Sequence, residues 1–181
     1  MNQANQYWRL SKESIATLNR MIGAHVALRG ACHEVRFSDG DMSAELFDLE
    51  LFAYEPHQTR RVALSTEWHT SPKGIDWHEI HAENADNNKK SSKLTTINVC
   101  EHAPLSQVEA TTIDFEFETE TLSIDTALNL VFEDGSAMNL TTDFDSILGA
   151  FVVSSGRYDA VRIEWEGLTQ SVRTLQTDKP I

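Results

Sequence analysis

The sequence contains no lysine or arginine between Lys93 and Arg157. This 63-residue interval, 94–156, nevertheless holds 11 of the 28 acidic residues: Glu101, Glu109, Asp114, Glu116, Glu118, Glu120, Asp125, Glu133, Asp134, Asp143 and Asp145. Most of the net charge of -13 therefore belongs to one segment. Such a charge opposes binding to nucleic acid backbones and to anionic membranes. It favours a basic partner, a cation or simple solubility.

Long apolar runs are also absent, since none approaches the roughly 18 residues that a membrane-spanning helix needs. Residues 1–8 have neither the positive region nor the apolar region of a secretion signal. Cysteine is scarce, and Cys32 and Cys100 are most simply two reduced, buried thiols in a chain without such a signal. We therefore expect a cytoplasmic protein whose partners include neither membrane nor nucleic acid.

Catalytic signatures are missing too. The chain has no G-x-S-x-G elbow, no G-x-G-x-x-G loop and no G-x-x-x-x-G-K-[ST] loop. It therefore lacks the motifs with which α/β-hydrolases, dinucleotide-binding proteins and P-loop proteins perform their functions. The acidic residues of 133–145 do not have EF-hand spacing. The sequence thus predicts a protein that is not an enzyme and that needs no cofactor.

What the sequence does contain is an unbroken alternation of apolar and acidic residues from Ile113 to Glu120. A period of two is the signature of a half-buried β-strand. One face of that strand would present four carboxylates, termed here the acidic row: Asp114, Glu116, Glu118 and Glu120. Neighbours in the row would stand roughly 6.6–6.8 Å apart, which makes the row about 20 Å long.

Three interpretations of the acidic row stay open. It could be the solvated outer face of an antiparallel sheet, protected by charge against edge aggregation. It could pair internally with Arg162 or Arg173 from neighbouring strands. The functional interpretation is a docking surface for a basic protein, on which charges mainly raise the association rate and the specificity.

The rest of the chain predicts one helix followed by strands. Ser11 is a suitable N-cap for a helix over 12–22, with Gly23 as its end. Beyond it the apolar residues alternate in most segments, and the prolines and glycines punctuate them. The predicted fold class is mainly β (α+β), with antiparallel sheets forming a sandwich or half-barrel and one N-terminal helix.

Two local features refine this fold. Asp39-Gly40 predicts a tight hairpin turn in which Val35 and Phe37 lie opposite Ala44 and Met42. The apolar parity then changes where Leu46 and Phe47 are adjacent, and this change predicts a β-bulge.

The length of 181 residues predicts a single domain, 1–181. The polar stretch 84–93 is its one natural boundary, between sub-halves 1–83 and 94–181. The hairpin motifs of the two sub-halves echo each other at similar spacing, which would make them two related halves. The simpler explanation is that any two Asp-Gly hairpins look alike.

Among seven histidines, the one cluster is His69, His78 and His81, with Glu79 beside the last two. On a helix His78 and His81 would share a face, whereas on a strand they would point to opposite sides, and the segment 75–81 fits either. The pattern is not the H-E-x-x-H of zinc peptidases. The sequence assigns no metal, and these four residues are the ones that a metal-binding protein or enzyme would use. The simpler interpretation is polar loop histidines beside partly buried tryptophans.

Two hairpins, Phe37-Ser38-Asp39-Gly40 and Phe132-Glu133-Asp134-Gly135, resemble those of bacterial immunity proteins, the antidotes to polymorphic and contact-dependent toxins. The resemblance implies an inhibitor that docks an acidic face on a basic toxin domain, such as a nuclease with a basic cleft. It assigns no role to any individual residue. A homodimer is the remaining alternative for the partner.

Overall fold

The computed structural model of this protein describes residues 4–38, 41–55, 58–71, 74, 76–85, 96–116, 120–142, 150–156 and 168–176. Within them the chain forms one α-helix, α1 (Lys12–Asn19), and ten strands: β1 (Ala4–Trp8), β2 (His25–Ser38), β3 (Asp41–Glu55), β4 (Gln58–Thr70), β5 (Asp76–Asn84), β6 (Thr96–Glu116), β7 (Glu120–Phe132), β8 (Ala137–Thr142), β9 (Phe151–Ser155) and β10 (Leu168–Thr174). The predicted fold class, mainly β with one N-terminal helix, is confirmed.

The strands belong to one large sheet in the order β1-β7-β8-β9-β3-β2-β6-β10, and β4 and β5 extend it from β3. The pairings are antiparallel except for β1 with β7, which is parallel. The long strand β6 bonds to β2 along its first half and to β7 and β10 along its second half, so the sheet turns back on itself. Strands from the two predicted sub-halves pair directly with each other in it, since β2 pairs with β6 and β3 pairs with β9. Most of the boundary 84–93 lies outside the described residues.

Helix α1 begins where the sequence predicts. The Ser11 side chain accepts a hydrogen bond of 3.0 Å from the Ser14 backbone N–H, which satisfies one of the free donors of the first turn. The helix ends at Asn19, three residues earlier than predicted, because tighter turns follow it up to Gly23, whose φ is 85°. No helix among the described residues is long and apolar enough to cross a membrane.

The β2–β3 hairpin has the predicted register, with Val35 opposite Ala44 and Phe37 opposite Met42. Its Asp39-Gly40 turn lies outside the described residues. The predicted β-bulge is confirmed by a register shift at which Arg29 and Ala31 face Glu50 and Phe47.

Pro104 does not interrupt the chain as its position in the sequence suggests. Strand β6 runs through it, and Pro104 marks the place where β6 leaves β2 and begins to pair with β7. Proline, which has no backbone N–H, is tolerated there because the strand changes partner at this position and no ladder hydrogen bond requires that N–H.

One large apolar core lies against the sheet and receives side chains from α1 and from strands β2 to β9. A smaller second core consists of Trp77, Ile113, Phe115, Leu122 and Ile124, with Trp8 and Leu168 packed on it. Ile113 and Phe115, which belong to the apolar face of the predicted 113–120 strand, are thus buried with Trp77 of the β4–β5 hairpin.

The two cysteines are too far apart for a disulfide. The backbone partner of Cys100 in the sheet is Ala27, five residues along β2 from Cys32. At about 3.3 Å a residue their Cα atoms are about 16 Å apart, well beyond the roughly 7 Å limit of a disulfide. The prediction of two unbridged thiols agrees with this register.

The turn between β7 and β8 requires glycine. Gly135 has a φ of 85°, and its N–H donates to the Phe132 carbonyl oxygen at 3.0 Å. We expect Gly135→Ala to lower the free energy of unfolding by about 1–2 kcal/mol in urea titrations, because a Cβ is disfavoured in the left-handed region. Gly135→Asn is the control, since asparagine tolerates this region, and an equal loss in both variants would contradict the backbone explanation.

Candidate functional site

The acidic row does not lie along one strand. Strand β6 ends at Glu116 and β7 begins at Glu120, and the two pair antiparallel with Glu116 opposite Thr121. The prediction of a single strand over 113–120 is therefore wrong, because the alternation runs on past the point where the chain reverses. Glu118 lies outside the described residues, and only the backbone of Glu120 is described.

Asp114 is engaged within the protein. Its Oδ1 atom accepts a short hydrogen bond from the Ser123 hydroxyl on β7 and lies 4.0 Å from Arg9 Nη2. The Arg9 guanidinium also donates to the Ser123 hydroxyl oxygen at 3.0 Å. Asp114 is half-buried, so it presents only part of its charge to solvent.

Asp125, on the same face as Asp114, is fully buried and has three donors. It accepts hydrogen bonds from the Leu10 backbone N–H at 2.9 Å, from the Thr112 hydroxyl at 2.7 Å and from Arg173 Nη2. Arg173 is thus an internal partner of the acidic segment. The carboxylate that it binds is that of Asp125, which is not a member of the acidic row. Arg162, the other predicted partner, lies outside the described residues.

Glu116 is the member of the acidic row whose described side chain faces solvent. It is exposed at the end of β6, and no residue in the described part of the chain forms an ion pair with it. Exposed carboxylates occur again at the other end of β7, at Glu133 and Asp134. Among the described side chains, the exposed carboxylates of this segment therefore lie at separate ends of the β6–β7 pair.

The histidine cluster lies on the β4–β5 hairpin. The segment 75–81, ambiguous in sequence, belongs to strand β5 from Asp76 onward, so His78 and His81 point to opposite sides. His78 is buried with its ring edge-on to Trp68, the centroids 5.0 Å apart. It is therefore separated from the other candidate ligands.

The remaining candidates share one face with a residue that the sequence did not single out, Glu67. Register places Glu67 opposite Glu79, while His69 and His81 lie two residues away on their strands. We term Glu67, His69, Glu79 and His81 the His–Glu cluster. His69 Nε2 lies 3.1 Å from Glu79 Oε2, and His81 Nε2 lies 3.7 Å from Glu67 Oε2 and 3.8 Å from Glu79 Oε2.

Two tryptophans hold His69 in place. Its ring centroid is 4.2 Å from that of Trp8 and 5.7 Å from that of Trp77, with the Trp77 ring nearly parallel. Trp77 also belongs to the second core, which buries Ile113 and Phe115 of β6. The His–Glu cluster and the end of the acidic row are therefore supported by the same small core.

A sequence signal for Glu67 exists in retrospect. Glu67-Trp68-His69 and Glu79-Ile80-His81 repeat the pattern Glu-x-His on either side of the turn around Gly74. The spacing of two puts each pair on one face of its own strand, and the register that places Glu67 opposite Glu79 puts both pairs on the same face. The pattern is recognisable only when both segments are assigned as strands of one hairpin.

Comparison of the chain with protein-family models, with curated proteins and with solved structures finds no match. The function therefore has to be inferred from the chemistry of the acidic segment and of the His–Glu cluster.

Proposed function

We propose that this chain is an acidic binding protein that neutralises a basic protein, in the manner of an immunity protein that blocks a toxin nuclease. The observation that supports the proposal is the distribution of charge. The interval without lysine or arginine contributes β6 to β9. Two arginines from outside the interval, Arg9 and Arg173, are engaged by Asp114 of β6 and Asp125 of β7. Glu116 keeps its charge exposed at the end of β6.

The binding surface of this proposal is the end of the β6–β7 hairpin, with Glu116 and the predicted residues Glu118 and Glu120 around the reversal. A cluster of exposed carboxylates raises the rate at which a basic surface finds its partner, because it attracts that surface before contact. A nuclease cleft is itself basic, since it binds a phosphate backbone. The acidic hairpin end would then occupy the place of the nucleic acid.

The test uses the neighbouring gene, whose product should be a basic toxin domain. We expect Glu116→Lys to slow association with that domain roughly tenfold at low salt, because steering depends on the local charge. High salt should reduce the difference between the variant and the unmodified protein, since it screens exposed charges. The measurement is stopped-flow association at low and high salt.

Glu133→Lys is the matched control. It makes the same change of net charge within the same interval, at an exposed site about 35 Å away along β7. If the two variants slow association equally, net charge alone is responsible and the hairpin end is not a docking surface. If neither slows it, the proposed function fails.

A further inference from the structure

We infer that Glu67, Glu79 and His81 form a binding site for a divalent transition-metal ion, with His69 as a positioning residue that orients Glu79. The inference is independent of the proposed function, because the acidic hairpin end includes none of these four residues. One carboxylate oxygen each from Glu67 and Glu79 and one ring nitrogen of His81 all lie within 4.8 Å of one another.

The separations indicate room for an ion between these groups. His81 Nε2 is shielded from solvent and has no hydrogen-bond partner, although carboxylate oxygens lie 3.7 and 3.8 Å away. Those distances exceed the 2.7–3.2 Å of an N–H···O hydrogen bond. Because Zn²⁺ bonds of about 2.0–2.2 Å in a tetrahedral site hold ligand atoms about 3.3–3.5 Å apart, His81 Nε2 has to approach each oxygen by only about 0.3 Å.

The two carboxylates give a second argument. Glu67 and Glu79 are directly opposite each other on neighbouring strands, and like charges in that position destabilise a sheet. A bound cation removes the repulsion.

The surroundings resemble the outer shell of a metal site. His69 Nε2 lies within hydrogen-bond distance of Glu79 Oε2, at 3.1 Å, and Trp8 and Trp77 restrict the His69 ring. Outer groups of this kind fix the orientation of ligating carboxylates. An imidazole with two carboxylates suits Zn²⁺ and related ions better than Ca²⁺ or Mg²⁺, which prefer oxygen ligands alone.

The site is open on one side. Glu67 is 67% exposed, so its carboxylate can close on an ion from solvent without disturbing the core. Three protein ligands leave a fourth position for water or another small ligand in a tetrahedral zinc site.

The experiment titrates Zn²⁺ into the full-length, chelator-treated protein by calorimetry, and Co²⁺ by visible absorption. We expect one ion per chain and a Co²⁺ spectrum of low coordination number. Glu79→Gln and His81→Ala should each weaken Zn²⁺ affinity by more than about 100-fold, and His69→Ala by about 10-fold, as expected for the loss of a ligand and of an outer partner. Glu83→Gln, an exposed carboxylate on the same face two residues beyond His81, should stay within about twofold.

Glu67→Gln is the ligand variant that should not misfold, because an exposed side chain can be changed without affecting the core. Its unfolding midpoint should be at or above that of the unmodified metal-free protein, since the variant also removes the repulsion between Glu67 and Glu79, while its Zn²⁺ affinity falls. The inference is overturned if the unmodified protein binds neither ion, or if Glu67→Gln, Glu79→Gln and Glu83→Gln all bind Zn²⁺ equally. If Glu116→Lys and Glu133→Lys both associate with the toxin domain as fast as the unmodified protein, the proposed function fails, but the Zn²⁺ result is not affected.

Discussion

Replacing Trp77 by alanine is expected to lower the free energy of unfolding by about 3–5 kcal/mol, the largest effect of any single substitution proposed for this chain. Trp77 is 2% exposed and fills the second core between the β4–β5 hairpin and the apolar side chains of β6 and β7. Removing the indole leaves a cavity that the strands on either side cannot close, since their positions are fixed by the ladder. Chemical denaturation followed by circular dichroism measures the loss.

Trp68→Ala is the matched control for this prediction. Trp68 lies on β4 next to His69, is 38% exposed and belongs to neither core. Its removal should cost less than about 1–1.5 kcal/mol, because much of its surface already faces water. A similar loss in both variants would show that the second core does not connect the hairpin to the rest of the sheet.

Trp77→Ala also separates packing from metal binding. The Trp77 ring stacks on His69 and is not one of the three proposed ligands. If the variant remains folded, its Zn²⁺ affinity should fall no further than that of His69→Ala, because only the positioning of Glu79 is weakened. A complete loss of Zn²⁺ affinity in a folded Trp77→Ala protein would mean that the hairpin itself depends on the second core.

The second large effect is expected at Asp125. Asp125→Ala should cost about 3 kcal/mol, since it leaves the Arg173 guanidinium without its carboxylate and the buried Leu10 N–H without an acceptor. The value lies at the low end of the range for broken buried pairs because the Arg173 side chain is 31% exposed and can turn partly to water. Urea titration at neutral pH gives the measurement.

Two further variants test the cause. Asp114→Ala removes a half-buried carboxylate whose nearest guanidinium nitrogen is 4.0 Å away and which accepts from the buried Ser123 hydroxyl, so it should cost about 1–2 kcal/mol, less than Asp125→Ala. Adding Arg173→Met to Asp125→Ala should recover part of the loss, because the uncompensated charge is then gone. If the double variant is less stable than Asp125→Ala alone, the buried pair is not the source of the effect.

Asp125 also explains how an interval without basic residues folds. Arg9 follows β1 and Arg173 lies on β10, so arginines from both ends of the chain approach the polar face of the β6–β7 pair. The parallel pairing of β1 with β7 brings Arg9 beside Ser123, and the pairing of β10 with β6 brings Arg173 beside Asp125. The ends of the chain thus neutralise the interior of the acidic segment and leave its exposed carboxylates charged.

Much of the local structure followed from the sequence. The Ser11 cap, the Val35–Ala44 register and the bulge beside Phe47 depend on side-chain chemistry and alternation within a few residues, and all three are present. Strand β1 was missed because 4–8 shows no alternation of apolar and polar residues, and it becomes a strand by pairing with β7. Its assignment depends on a neighbour more than a hundred residues away.

The candidate sites show the same division. The sequence by itself determined the excess of carboxylates between Lys93 and Arg157, and it supplied the Glu-x-His pair at 79–81. Only the tertiary structure decided that the acidic row is divided by a chain reversal, that His78 faces away, and that Glu67 completes the His–Glu cluster. The physical reason is that alternation specifies which residues share a face of one strand, whereas the register between strands, which brings their side chains together, is set by packing from distant parts of the chain.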